Sequence, residues 1–330
     1  MYLNKIRYSV LLLLFVFSDS IRASAAIFYT DVTDGCAASA AQPVVLLELT
    51  DDRGRHVCLS HFANRIVSLS PNITELVFSA GAGSKLVGAS RYSDYPAQAK
   101  TIPEVGDASG LDFEKILALE PDLVIAWRSG NNAADIGKLE KLGLTVFAAE
   151  AARLDDIPRL LRLTGKLAGT SRQAESAAKG YEEELQQINH HYGKRQKISV
   201  FQLIWDQPLM TVNASHMASD IINLCGGINV FAVMPSLTQV VSEEDLLMAN
   251  PDAIISSIPL ELGLTAVRSR SQRFSKMSAV RNNHIFFVHP DLINRQTVRT
   301  LVAAKTICAQ LERVRSVREK ELAPAVSGTD

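Results

Sequence analysis

Residues 114–126 read EKILALEPDLVIA, and residues 244–256 read EDLLMANPDAIIS. Glu, Pro and Asp recur at the same relative places, 130 positions apart. Each stretch predicts a short helix that meets a Pro-Asp turn, and the turn feeds an apolar strand. A continuous apolar run of that length fits a parallel strand covered on both faces. The recurrence predicts a chain built from two similar α/β halves.

Elements on either side follow the same rhythm. Before the first unit, RIVSLS (65–70) is a strand, and Pro71-Asn72 opens a helix to Ala80 that Asn72 or Thr74 is placed to cap. Leu86–Ala89 is a further strand; after the unit come a helix over 132–142, ending at Gly143, and a strand over 145–148. Val44–Thr50 and Arg55–Ser60, around Asp51-Asp52-Arg53-Gly54, predict a β-hairpin ahead of all this. Asp155 or Asp156 caps a helix to about Leu167, and Gly169-Thr170-Ser171 breaks it. From Arg172 to about Tyr192 the chain holds good helix formers and no proline. This second helix precedes a new strand-rich block, with strands at 198–203 and 285–288, and is expected to span two lobes. The fold class is α/β: two lobes with parallel-sheet cores joined by a single long helix. The divisions expected are 1–25, 26–64 (hairpin extension), 65–168 (N-terminal lobe), 169–194 (interlobe helix) and 195–330 (C-terminal lobe).

The 330 residues are 47% hydrophobic and 21% charged with a formal net charge of -1, which argues against a nucleic-acid partner. Lys5 and Arg7 precede the apolar Val10–Phe17 stretch and the small-residue run Ala23-Ser24-Ala25. This is the layout of a cleaved secretory signal, since Asp19 and Arg22 cut the apolar run short of a membrane span. The mature protein is expected to be exported, not membrane-embedded, and monomeric. In that compartment Cys36, Cys58, Cys225 and Cys308 suggest disulfides, for which three pairings exist and pairing within each half is simplest. Four buried thiols are the alternative.

Enzyme signatures are missing: no G-x-S-x-G, no P-loop, no G-x-G-x-x-G after a strand, no H-E-x-x-H. No two of the seven histidines are spaced as a metal pair on one helix face, and neither metal nor cofactor is expected. Aromatic residues are only 6%, yet Trp127 and Trp205 both follow apolar strands, as Tyr92 and Tyr95 do. In a parallel sheet those places border the ligand crevice. Flat aromatics around an interlobe cleft, with no nucleophile, point to capture of a large planar or macrocyclic ligand. The plain alternative makes the tryptophans half-buried core. Glu114 and Glu244 stand in first helical turns, where the dipole favours them; two equivalent acidic knobs would also suit a two-fold partner with basic pockets.

From Arg65 to Leu311 the chain resembles the helical-backbone class of bacterial periplasmic binding proteins, which serve ABC importers of cobalamin, ferric siderophores and haem. The segments that carry the likeness are RIVSLSPNITEL (65–76), SRYSDYP (90–96), LEPDLVIAWRSGN (119–131), QPLMTVN (207–213), NLCGGINVF (223–231) and DLINRQTVR (291–299). They favour the cobalamin-binding branch. The resemblance implies a periplasmic protein that captures cobalamin, or a related corrinoid, between two lobes and passes it to an ABC permease dimer without catalysis. It implies ligand contacts at Ser70, Pro71, Asn72, Tyr92, Trp127, Met210, Asp291 and Arg295, a Cys225–Cys308 disulfide, and permease docking through Glu114 and Glu244. The family's tryptophans are replaced by Ala108 and Thr238, and Trp205 is a candidate to restore stacking surface. Arg91, Arg128 and Arg295 instead suit an anionic siderophore or haem propionates, the alternative ligand class.

Overall fold

The computed structural model describes residues 46–258 and 274–322. The proposed signal segment and Cys36 lie outside them. Strands β1 (Leu47–Thr50) and β2 (His56–Leu59) form the expected antiparallel hairpin. Next come β3 (Ile66–Ser68), α1 (Pro71–Ser79), β4 (Leu86–Ala89), the short pair β5 (Gly106–Asp107) and β6 (Gly110–Leu111), α2 (Phe113–Ala118), β7 (Leu123–Trp127), α3 (Ala133–Lys141), β8 (Val146–Ala149) and α4 (Asp156–Ala168). The helix α5 (Ser171–Tyr192) follows, about 33 Å long at 1.5 Å per residue. The second half holds β9 (Ile198–Leu203), β10 (Met210–Val212), α6 (Met217–Leu224), β11 (Gly227–Asn229), β12 (Thr238–Val240), α7 (Glu243–Ala249), β13 (Ala253–Ser256), α8 (Ser278–Arg281), β14 (Ile285–Phe287), α9 (Pro290–Ile293) and α10 (Thr300–Leu322).

Two four-stranded parallel sheets form the cores, in the orders β4-β3-β7-β8 and β11-β9-β13-β14. The first core strand of each half therefore lies between the second and the third, the same arrangement twice. The repeat seen in the sequence explains itself here. Asp122 Oδ2 accepts from the backbone N–H groups of Asn64 (2.7 Å) and Arg65 (2.9 Å), at the entry to β3. Asp252 Oδ2 accepts from Ser199 N–H (2.8 Å) near the start of β9. Each Pro-Asp aspartate thus ties its own strand to the neighbouring core strand. Just before the turn, Glu120 (φ 43°) and Asn250 (φ 40°) both take the left-handed conformation that ends α2 and α7.

One apolar core runs from the first sheet through Ala174, Ala178, Tyr181 and Ile188 of α5 into α6 and α10. Separate clusters fill the opposite face of each sheet. Because α5 is buried into both halves, it is a packed spine rather than a free linker. Tyr181 Oη lies 3.0 Å from Thr300 Oγ1, and burial pushes its phenol up. Cys225 and Cys308 are disulfide-bonded, joining the end of α6 to α10. Cys58 is also disulfide-bonded. One helix start differs from expectation: the N-cap of α1 is Ser70, not Asn72 or Thr74, because Pro71 already occupies the first helical position.

Candidate functional site

Where strand order reverses, two loops leave a parallel sheet in opposite directions and open a crevice at the carboxyl ends. In the first sheet that point lies between β3 and β7, and Ser70 and Trp127 stand there. A cavity of about 330 Å³ is lined by Leu69, Ser70, Pro71, Ser90, Arg91, Tyr92, Asp107, Ala108, Ser109, Trp127, Gly130 and Asn131. Its wall is mostly apolar surface, and Ala108 leaves room where a larger side chain would intrude.

Trp127 is held from several sides. Its backbone N–H donates to Asn131 Oδ1 (2.7 Å), and Asn131 Nδ2 donates to Leu69 O (2.9 Å), which binds the β7 exit to the β3 exit. The indole Nε1 donates to Glu150 Oε1 (3.2 Å). The ring lies against Gly130, where an added Cβ would come within 1.8 Å of it. Behind the cavity, Ser68, Thr74, Ser93 and Ser90 form a chain of hydroxyls at 2.6, 2.9 and 3.3 Å, fastening the 90–93 loop to α1. Ser70 is buried, and its Oγ has no hydrogen-bond partner. A buried hydroxyl left unpaired is costly, and this one stands beside the cavity. Tyr92 is 69% exposed and has a left-handed backbone (φ 66°), an uncommon conformation for an aromatic residue and one that clusters at ligand sites.

Two of the arginines near the cavity, Arg91 and Arg295, are already paired with carboxylates, while Arg128 beside Trp127 is exposed. Arg91 donates to Glu104 (2.8 Å) and Asp107 (2.9 Å). The Ser109 hydroxyl and backbone N–H hold the Asp107 carboxyl below its usual range. Arg295 reaches across from the second half to Glu75 (3.1 Å) and Asp94 (2.8 Å) and donates to Tyr92 O (3.3 Å), while Asp291 of its own half pairs with it at 3.2 Å. Glu75 is buried and also takes Arg299 (3.0 Å) and the Thr297 hydroxyl (2.8 Å). Burial alone would raise the Asp94 pKa, but the Arg295 guanidinium wins and holds it low. Arg299 stacks over the Tyr95 ring at 4.2 Å. A second crossing pair, Arg153 with Asp220 (2.5 Å), joins the β8 exit to α6.

Of the expected contact residues, Ser70, Pro71, Tyr92 and Trp127 come together around the cavity. Asn72 does not line it: the side chain is buried and donates to Gln296 Oε1 (3.3 Å) across the two halves. Asp291 and Arg295 lie in the ion cluster next to Tyr92. Trp205 and Met210 form a bridge on the β10–β12 ribbon of the second half, with Trp205 53% exposed and its Nε1 bonded to Gln207 O (3.0 Å). Thr238 begins the partner strand, opposite Val212. Glu114 and Glu244 are both exposed in the first turns of α2 and α7. Sequence reading missed Ser90, Asn131, Glu75 and Glu150; only Asn131, in the turn after Trp127, carried a local signal. Among the described residues no group of His, Cys, Asp and Glu is assembled to hold a metal, and no helix is long and apolar enough to cross a membrane.

Residues 66–292 match the family of periplasmic binding proteins. This chain belongs to that family. A vitamin B12-binding protein of Vibrio cholerae is 34% identical over 250 residues, covering 76% of this chain and 90% of that one. The crystal structure of the periplasmic vitamin B12 binding protein of Vibrio cholerae superposes with a TM-score of 0.71 at 34% identity, over 77% of this chain and 98% of that chain. A possible iron-binding periplasmic solute-binding protein from Staphylococcus epidermidis gives a TM-score of 0.68 at 25% identity, over 76% and 99%. As a periplasmic binding protein, the chain needs a recess and anchors rather than a reacting group, and the cavity offers that.

Proposed function

We propose that this periplasmic binding protein captures cobalamin, or a related corrinoid, between its two halves and delivers it to an ABC import permease. The observation that carries the reading is the charge state of the cleft. Arg91 and Arg295 are paired with carboxylates of the chain itself, so although Arg91 and Asp107 stand in its wall, the cavity presents a mostly apolar surface with aromatic faces. A corrin ring with amide side chains matches such a surface better than a ligand that carries free carboxylates. The identity to vitamin B12-binding relatives agrees with it. The ligand rests on Tyr92 and Trp127 of the first half and on Trp205 and Met210 of the second, with Ser70 and Pro71 at its edge. Asn72, Asp291 and Arg295 hold the cleft loops against each other. No cofactor enters the cycle, and the protein works as a monomer after export and removal of residues 1–25. Glu114 and Glu244 dock one on each half of the permease dimer. The lobes run from 65 to 168 and from 195 onward, with 169–194 as the interlobe helix and 26–64 as the hairpin extension.

Calorimetric titration of residues 26–330 with cyanocobalamin, haemin and ferric siderophores tests the ligand class. Saturable one-to-one heat with cyanocobalamin alone is expected. Heat with haemin or a siderophore and none with cyanocobalamin would move the arginines to the centre of recognition and overturn the corrinoid reading.

A further inference from the structure

The hairpin β1–β2 lies before residue 66, where the family match begins. It is not an idle extension. Its turn docks on β8, the edge strand of the first sheet, whose free N–H and C=O groups need partners. Asp52 N–H donates to Ala148 O (2.9 Å), and Ala148 N–H donates to Asp51 Oδ2 (3.2 Å). One residue beyond the strand, Glu150 N–H donates to Asp52 Oδ2 (2.6 Å). Arg159 closes the group by donating to Asp52 Oδ1 (2.8 Å) and Glu150 O (2.9 Å). The buried Asp51 carboxylate keeps the turn in shape by accepting from the N–H groups of Arg53 (2.8 Å) and Arg55 (3.0 Å).

Glu150 is therefore fixed at its backbone by the hairpin. Its side chain holds the turn after β7: one oxygen accepts from Trp127 Nε1 (3.2 Å) and the other from Ser129 N–H (2.9 Å). With Gly130 under the ring, the indole has a slot on one side and a tether on its edge. We infer that the N-terminal hairpin is a positioning element of the cleft: Asp52 sets Glu150, and Glu150 sets the plane in which Trp127 meets the ligand. The inference rests on the proposed role of Trp127 as a ligand contact. A flat ligand rewards one orientation of the ring, so a ring free to rotate about its side-chain bonds loses stacking while the fold stays intact.

The test separates orientation from binding. Trp127 orientation is read without ligand, as the near-ultraviolet circular dichroism of a Trp205→Phe protein, in which Trp127 is the sole tryptophan. Affinity for cyanocobalamin is read separately with Trp205 present. Glu150→Ala and Asp52→Ala should both reduce the indole bands, and both should weaken cyanocobalamin binding about fivefold. Glu150→Gln keeps an oxygen for Nε1 and should retain most of both. A loss of thermal stability in Asp52→Ala with unchanged indole bands would mean that the hairpin only staples the sheet edge, and would overturn the inference. Altered bands with unchanged affinity, while Trp127→Ala still weakens binding, would show that orientation does not matter and would also overturn it. If Trp127→Ala itself binds cyanocobalamin normally, the underlying site reading fails and this inference goes with it.

Discussion

Trp127 and Tyr92 present flat faces at the crevice for different physical reasons. Trp127 ends a buried strand and is tied at its backbone, its indole nitrogen and its face. Tyr92 is displayed by a left-handed backbone whose carbonyl is capped by Arg295. Replacing Trp127 with Ala should weaken cyanocobalamin binding at least tenfold, about 1.4 kcal/mol, measured by calorimetry. Unchanged affinity would make Trp127 a core residue. The aromatic positions could be read from the sequence because they follow apolar strands. The charge state of the cleft could not. Arg295 looks like a free cation in DLINRQTVR, and its partners Glu75 and Asp94 lie more than 200 residues earlier. Asp52 and Glu150 are likewise 98 positions apart. No local pattern reports pairings made only by the tertiary fold.

At the scale of elements, the two Pro-Asp units were legible because each packs a helix, a turn and a strand into consecutive residues. Their aspartates act on neighbouring strands, which explains why the spacing recurs independently of any ligand. The start of α6 carries a pH-dependent term. His216 Nδ1 accepts from Ala218 N–H (3.1 Å), and burial of the ring lowers its pKa to about 4. Unfolded histidine titrates near 6.5, so between those values the unfolded chain binds the extra proton. Stability is therefore full above about pH 6.5, falls as pH drops toward 4, and loses about 3 kcal/mol over the window. Urea unfolding at pH 7 and pH 5 should show the upper part of this loss, about 2 kcal/mol, and His216→Asn, which keeps a capping acceptor, should flatten it. The Cys225–Cys308 bond closes a span of 83 residues between α6 and α10. Paired Cys225→Ala and Cys308→Ala substitutions should cost about 2–5 kcal/mol in the same assay, since the unfolded chain gains the entropy of an open loop.

For the whole molecule, the continuous core through α5 and the crossing ion pairs hold the halves in one relation. Such a frame suits capture without a wide hinge closure. If Glu114 and Glu244 are the docking points, Glu114→Lys with Glu244→Lys should abolish uptake of cyanocobalamin in a reconstituted transport assay while leaving affinity intact. Weakened affinity in that variant would instead place the glutamates in ligand binding. The central claim, a corrinoid held between the halves against Trp127, is tested most directly by a crystal structure of residues 26–330 grown with cyanocobalamin. The account predicts the corrin between the halves, with an edge or face in van der Waals contact, about 4 Å, with Trp127 and Tyr92. A corrin bound elsewhere, or crystals without cyanocobalamin under saturating conditions, would contradict it.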